Sequence, residues 1–211
     1  MTRPIVITGT DTGIGKTVFA AGLAGLLDGH YWKPVQAGVE PETDSATVAR
    51  LSGLPKERLL EEAYRLRLPA SPHLAAREEG LVIEAEHLAL PEVDGALIVE
   101  GAGGVLVPLS EALLMVDLFA SWGAPAIVCA RTGLGSINHS LLTARALRAS
   151  GVRVLGVVFI GDPHAENEHI VPKLAGVPSL GRLPWLDPLD RDTLGYAMRT
   201  HIDLAPLKAF L

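Results

Sequence analysis

The chain has 211 residues, 48% of them hydrophobic and 20% charged, which is the length and apolar content of one α/β domain with a sizeable core. A net charge of −6 with no run of lysine or arginine argues against a nucleic-acid partner. One cysteine excludes an internal disulfide or a cysteine-based metal cluster. With no leader-like start and no apolar run of membrane-spanning length, it points to a reducing cytoplasm.

Ile5-Val6-Ile7 reads as a strand. It runs into Gly9-Thr10-Asp11-Thr12-Gly13-Ile14-Gly15-Lys16-Thr17, and a helical spacing of Val18, Leu23, Leu26 and Leu27 follows. Strand, glycine-rich turn and helix are what a phosphate-binding loop needs: successive N–H groups form an anion nest at the positive end of a helix. Lys16 adds a cation for the outer phosphates, and the Thr17 hydroxyl suits Mg²⁺. The usual spacing puts a glycine where Thr10 stands, so with Gly9 one place earlier the loop is one residue longer. The stretch from Thr10 to Val18 is the candidate ATP site.

Asp28-Gly29 closes a turn, and His30-Tyr31-Trp32-Lys33-Pro34-Val35-Gln36 reads as a second strand whose end Pro34 loosens. Residues 37–43 are loop, and Asp44 suits the cap of a helix carrying Ala46, Val48, Ala49 and Leu51. From Gly53 to Gly80 proline and charge dominate, with a helical patch at 56–64 and an irregular loop at 66–72. A short helix at 83–90 precedes a strand at 95–100, which Gly101-Ala102-Gly103-Gly104 break. A helix at 116–122, a strand at 125–130 and a long helix from Ser136 or Asn138 follow, the last with Leu141, Leu142, Ala144 and Leu147 on one face. The β-branched run 152–160 is a buried parallel strand. A helix at 164–174 comes next, then 179–183 leading to Pro184-Trp185-Leu186, and a last helix at 204–210. Cys129 reads as a buried strand thiol, and His139 as a surface or capping residue. The alternation, without linker or repeat, predicts a single-domain, doubly wound, mostly parallel sheet over residues 1–211 with a P-loop NTPase-like core.

Ligands of such sheets bind beyond the carboxyl ends of the strands. Lys33 stands at one such end, as an edge charge or as a second cation beside the triphosphate. Glu100 stands at another. A carboxylate there needs a cation or a metal, and Mg²⁺ takes one or two carboxylates with hydroxyl and phosphate oxygens. Thr17, Asp44 and Glu100 are therefore candidate metal ligands, with Asp44 alternatively only a cap. Gly133-Leu134-Gly135-Ser136-Ile137-Asn138-His139 leads into a helix N-terminus, an ordinary turn or a site for a carboxylate.

Taken together these stretches resemble dethiobiotin synthetase, an ATP-dependent carboxylase family. The resemblance rests on residues 9–17, Lys33-Pro34-Val35, Val99-Glu100-Gly101-Ala102-Gly103-Gly104, residues 133–139 with Leu142-Thr143, and Gly181-Arg182-Leu183-Pro184-Trp185-Leu186. Five motifs in one order are specific, whereas the loop alone is shared with partitioning ATPases and amidoligases. The resemblance implies a reaction of 7,8-diaminopelargonic acid, CO₂ and ATP through a carbamate and a carbamic–phosphoric anhydride. It implies Lys33, Lys16 and Thr12 as catalytic residues, with Glu100, Gly103, Gly161 and Pro184 added to the ATP site. It further implies Thr12, Lys33 and Ala37 at the diamine, and Gly135, Ser136, Ile137 and Asn138 of a second subunit at its far carboxylate. A homodimer with shared sites follows from that implication.

Three positions depart from the family pattern. Ala37 stands where a serine or threonine is common, Gly161 where an asparagine reads the adenine edge, and Gly13 where a glutamate is frequent. Gly161 predicts weak discrimination among bases. An amidoligase would need a nucleophilic cysteine, and only Cys129 is available. A membrane- or DNA-dependent nucleotide switch would need an amphipathic tail or a basic surface, and the stretch 204–211 holds one lysine and a proline.

Overall fold

A computed structural model of the chain describes every residue except Lys208, Ala209 and Leu211. The strands are β1 (Thr2–Gly9), β2 (His30–Trp32), β3 (Val35–Ala37), β4 (Leu59–Leu60), β5 (Tyr64–Leu66), β6 (Gly95–Gly104), β7 (Ala126–Arg131), β8 (Val154–Ile160) and β9 (Ser179–Leu183). The helices are α1 (Lys16–Leu26), α2 (Asp44–Ser52), α3 (Pro72–Glu78), α4 (Met115–Ser121), α5 (Ser136–Ala149), α6 (Ala165–Ala175) and α7 (Arg191–His201). Seven strands form one sheet in the order β4-β2-β6-β1-β7-β8-β9, every pairing parallel, and β3 with β5 makes a separate parallel pair.

Strand alternation divides the core into two layers. Ile5 and Ile7 of β1 face a cluster with Phe19 and Leu23 of α1, Val48 of α2 and Met198 of α7. Val6 faces the opposite cluster, with Phe119 of α4, Leu147 of α5 and Val171 of α6. Helices therefore cover both sides of a doubly wound sheet. The connection from β1 to β2 leaves in the opposite direction from those to β7, β8 and β9, which opens a crevice at the carboxyl end of β1. Among the described residues no helix is long and apolar enough to cross a membrane.

Several expectations are corrected. The second strand is two strands, because Pro34 has no N–H for the ladder: β2 stays in the main sheet and β3 moves to β5, with the chain bending at Pro34. The helical patch at 56–64 is a 3₁₀ turn (Lys56–Arg58) running into β4, since Leu59 and Leu60 find partners in Tyr31 and Trp32. The loop at 66–72 gives way to α3, with Pro72 in its first turn, where a missing N–H costs nothing. At 83–90 only a 3₁₀ turn forms, Ala85–Leu88. The glycines after Glu100 do not break β6. They carry it on to pair Gly104 with Gly9 across an irregularity, and a Cβ at Gly101 would lie 2.8 Å from Phe119. Helix α5 buries Ser140, Thr143, Ala144 and Leu147, while Leu142 is exposed. Helix α7 has no counterpart among the elements expected from the sequence. At the C-terminus Ala205–Leu207 form a 3₁₀ turn, and Lys208 and Ala209 of the expected last helix lie outside the described residues.

Candidate active site

A cleft of about 550 Å³ opens at the carboxyl ends of β1, β2 and β6. Of the anticipated residues, Thr12, Gly13, Gly15, Lys16, Thr17, Lys33, Ala37, Asp44, Glu100 and Gly103 line it together. Its far wall is Pro69, Ala70, Ser71 and Pro72, so the stretch expected as irregular loop encloses the site.

The phosphate loop is built as its glycines require. Gly13 (φ +66°) and Gly15 (φ +97°) take left-handed conformations, and a Cβ at Gly9 would meet Ile14 Cδ1 at 2.5 Å. Ile14 is buried and contributes backbone only, and Val18 packs partly buried into the apolar layer of α1. The N–H of Thr10 donates to Cys129 O at 3.0 Å, tying the loop to β7. Lys16 Nζ arches back to donate to Asp11 O at 2.8 Å. Burial, then the neighbouring Lys33, lowers the Lys16 pKa from its ordinary value.

Three side chains, those of Thr17, Tyr31 and Lys33, converge on Glu100, a carboxylate only 1% exposed. Thr17 Oγ1 donates to Glu100 Oε1 at 2.8 Å, and Asp44 Oδ1 lies 3.1 Å from the same hydroxyl. Tyr31 Oη donates to Glu100 Oε2 at 2.8 Å. Lys33 Nζ, itself 3% exposed, bridges Asp44 Oδ2 at 2.6 Å and Glu100 Oε1 at 3.1 Å. Burial pushes the lysine's pKa down, but Glu100 and Asp44 together outweigh it and hold the group above its ordinary value. Asp44 is held below the ordinary carboxylate value: burial opposes this, and the ammonium of Lys33 overcomes it. Burial, then Glu100, raises the Tyr31 phenol well above its ordinary value, so it stays a donor.

Asp44 is not the cap of α2. Thr43 accepts from the Ala46 N–H at 3.2 Å, which leaves Asp44 as the first helical residue with its carboxylate in the cleft. Gln36 orients it: Gln36 Oε1 accepts from the Asp44 N–H at 3.1 Å while Nε2 donates to Gly38 O at 2.8 Å. Neither Gln36 nor Tyr31 stands out in the sequence as a site residue. The signal that finds Tyr31 is its place two residues before Lys33, on the buried side of β2 at the strand's carboxyl end.

The oxygens of Thr17, Asp44 and Glu100 suit a hard divalent cation. Mg²⁺ holds oxygens at about 2.0–2.1 Å in an octahedron, whose edge is about 2.9 Å, close to the spacings found here. Among the described residues no cluster of three or more His, Cys, Asp or Glu side chains could hold a metal alone. The set is incomplete without oxygens from outside the chain, as a Mg²⁺ shared with phosphate requires.

Other anticipated residues lie outside this cleft. Thr10 and Asp11 face a neighbouring groove lined by Val107, His139 and Leu142. Gly135, Ser136, Ile137 and Asn138 open α5 and do not line the cleft of their own chain. Ser136 Oγ donates to Gly133 O at 2.8 Å and is bridged to Asn167 of α6. Gly161 (φ +120°) follows β8, with its N–H donating to Leu183 O and its carbonyl accepting from Arg182, both at 3.0 Å. Its backbone is thus already paired, and a Cβ there would stand 3.4 Å from the exposed ring of Trp185. Pro184 lies partly buried just after β9. Beside Gly13 stands Arg131, which no sequence motif marks: its Nη2 donates to Gly13 O at 2.8 Å.

A protein family described as an AAA domain matches residues 3–193. The chain is 63% identical over 194 residues to the ATP-dependent dethiobiotin synthetase BioD of Rhodopseudomonas palustris strain HaA2, covering 92% of this chain and 91% of that one. It is 60% identical over 194 residues to the BioD of Nitrobacter hamburgensis, covering 92% of each. It is 55% identical over 205 residues to that of Agrobacterium fabrum, covering 97% of each. Among solved structures it is similar to a ParA family ATPase from Chlorobium tepidum TLS, with TM-score 0.54 and 14% identity over 98% of this chain and 92% of that one. A septum site-determining protein MinD from Pyrococcus horikoshii OT3 aligns with TM-score 0.51 and 16% identity, covering 93% and 86%. These two likenesses establish the P-loop NTPase fold and nothing finer. With more than half of its residues identical to the curated relatives over nearly the whole of both chains, this chain belongs to the ATP-dependent dethiobiotin synthetase family.

Proposed function

We propose that the cleft carries out the family's reaction, the ATP-dependent carboxylation and ring closure of 7,8-diaminopelargonic acid to dethiobiotin. The chain is on this reading an ATP-dependent ligase that forms carbon–nitrogen bonds. One amine of the diamine attacks CO₂, loses a proton and becomes a carbamate. A carbamate oxygen attacks the γ-phosphorus of ATP, breaking the bond to ADP and giving a carbamic–phosphoric anhydride. The second amine attacks the carbonyl carbon, expels phosphate and closes the cyclic urea.

The observation that supports this most is Lys33, buried and held charged at the end of the cleft where Lys16 and Thr17 also lie. A carbamate anion and a transferring phosphoryl group both need fixed positive charge that does not reorganise during the step. Lys33 supplies it beside the carbamate, and Lys16 at the outer phosphates once it leaves the Asp11 carbonyl. Thr12 lines the same cleft beside them, within reach of the diamine. Mg²⁺ held by Thr17, Asp44 and Glu100 would neutralise developing phosphate charge. No nucleophilic side chain is required, since catalysis here is positioning and electrostatics.

We further infer a homodimer in the cytoplasm. The family pattern gives the substrate's far carboxylate to Gly135, Ser136, Ile137 and Asn138 of a second copy, and their place away from their own chain's cleft supports that reading. The test is phosphate release from MgATP with and without the diamine plus bicarbonate. Turnover that needs both additions carries the reading, and hydrolysis indifferent to the diamine overturns it.

A further inference from the structure

Gly13 of the phosphate loop carries no side chain, and the space beside it is reached by a cation from another strand. Arg131 is the last residue of β7, paired with Ile160 of β8 and next to the nucleotide end of the sheet. Its Nη2 donates to the Gly13 carbonyl at 2.8 Å, and a Cβ built on Gly13 would lie 3.9 Å from that nitrogen. The side chain is exposed and, among the described residues, forms no ion pair with a carboxylate. A guanidinium carries five N–H donors in a rigid fork, and one is used.

Position in the sheet says which part of a nucleotide this cation meets. The γ-phosphate end is marked by Lys16, Thr17, Lys33 and Glu100, all on the β1, β6 and β2 side of the loop. Arg131 lies on the other side, between β1 and β8, where the chain passes on to Gly161 and Trp185. Resting on the ATP reading above, we propose that Arg131 is a positioning residue of the phosphate site. It fixes the Gly13 peptide and offers its remaining donors to the inner phosphates of the nucleotide. The loop thereby gains a positive charge at the place where a carboxylate would bring a negative one.

The experiment is calorimetric titration of wild type, Arg131→Ala and Arg131→Lys with ATP, ADP and adenosine, alongside steady-state kinetics. An exposed, salt-screened hydrogen bond from a charged group corresponds to about tenfold in affinity. Arg131→Ala should weaken ATP and ADP equally, by about tenfold, and leave adenosine within twofold. KM for ATP should rise with kcat nearly unchanged, and Arg131→Lys should recover part of the loss. Unchanged ADP affinity overturns the proposal. So does a loss confined to ATP with a collapse of kcat, which would put the residue at the γ-phosphate, or an equal loss for adenosine, which would put it at the nucleoside. A wild type that binds neither ATP nor ADP would instead overturn the ATP reading itself. Thermal unfolding of Arg131→Ala should stay close to wild type, because the side chain is exposed and makes one hydrogen bond.

Discussion

Replacing Lys33 by methionine keeps most of the side-chain volume and removes the charge between Asp44 and Glu100. Breaking a buried ion pair from one side costs about 3–5 kcal/mol, because it strands the remaining charge. The two carboxylates do not suffer equally. The Asp44 side chain is 32% exposed and can take up water, whereas that of Glu100 is 1% exposed and keeps only the hydroxyls of Tyr31 and Thr17. The expected cost is therefore at the low end, about 3 kcal/mol, or a fall in Tm of roughly 6–12 °C for a chain of this size. Glu100→Gln in the same background removes the stranded charge, so the double variant should be more stable than Lys33→Met alone. Urea unfolding of wild type, both single variants and the double variant closes the cycle, with coupling of about 1.5–3 kcal/mol between the two residues. Turnover should not follow stability: Lys33→Met should lose about 10²–10³ in kcat, and the double variant should recover none of it. If the double variant costs the sum of the singles, the carboxylates do not hold Lys33 and the account is wrong. If its activity returns with its stability, Lys33 is structural only.

Other outcomes are fixed by the geometry. Asp44→Asn should raise the Mg²⁺ concentration needed for half-maximal turnover by about tenfold while leaving the fold intact; a shift under twofold removes Asp44 from the metal shell. With the Gly161 backbone fully paired, ATP, GTP and CTP should support turnover within about tenfold of one another, since a base not read by hydrogen bonds is discriminated weakly. A hundredfold preference for ATP would refute this. Gly25→Ala would put a Cβ 2.5 Å from the Ser52 carbonyl oxygen and force α1 away from α2, at about 1–3 kcal/mol in urea unfolding. Cys129 is fully buried and burial pushes its thiol up, so native protein should resist iodoacetamide from pH 7 to 9. The same shift carries a sign for stability: the unfolded thiol ionises above about 8.5 while the folded one stays protonated. Relative to Cys129→Ala, wild type should lose up to about 1.4 kcal/mol per pH unit above that point. A flat difference would show that the thiol is not held neutral.

Much of this arrangement could be read from the chain because the residues concerned obey local rules. The central strands are apolar on both faces, the phosphate loop has a strand before it and a helix after it, and Lys33 and Glu100 lie where strands end. What could not be read depended on contacts distant in sequence or on residues with two meanings. Proline at position 72 and the glycines after Glu100 signalled breaks. Yet Pro72 starts α3, and a parallel ladder needs backbone groups rather than a Cβ, so β6 continues through the glycines. Helix α7 was hidden by its polar face, although Leu194, Ala197 and Met198 keep a helical spacing and Asp190 caps the first turn. The segment 56–64 has the composition of a helix until Leu59 and Leu60 find an open edge beside β2.

Gly13 shows how such a gap can carry function. In the sequence, a phosphate loop without its carboxylate simply lacks one polar interaction. Folded, the same position receives the guanidinium of a residue 118 places away, and a loop that already holds Asp11 is served by a cation and not by a second carboxylate. Lys33 pairs with Asp44 and Glu100 in the cleft, while Arg131 forms no ion pair with the described acidic side chains. An unpaired cation at an anion nest raises nucleotide affinity through the phosphates, which every nucleoside triphosphate shares, and not through the base. Weak reading of the base at Gly161 and a strengthened grip on phosphate at Arg131 then belong to one design. In that design the triphosphate, and not adenine, is what the site recognises. The two halves are separable, since Arg131→Ala should lower the affinity for ATP, GTP and CTP by the same factor and leave their ratios unchanged.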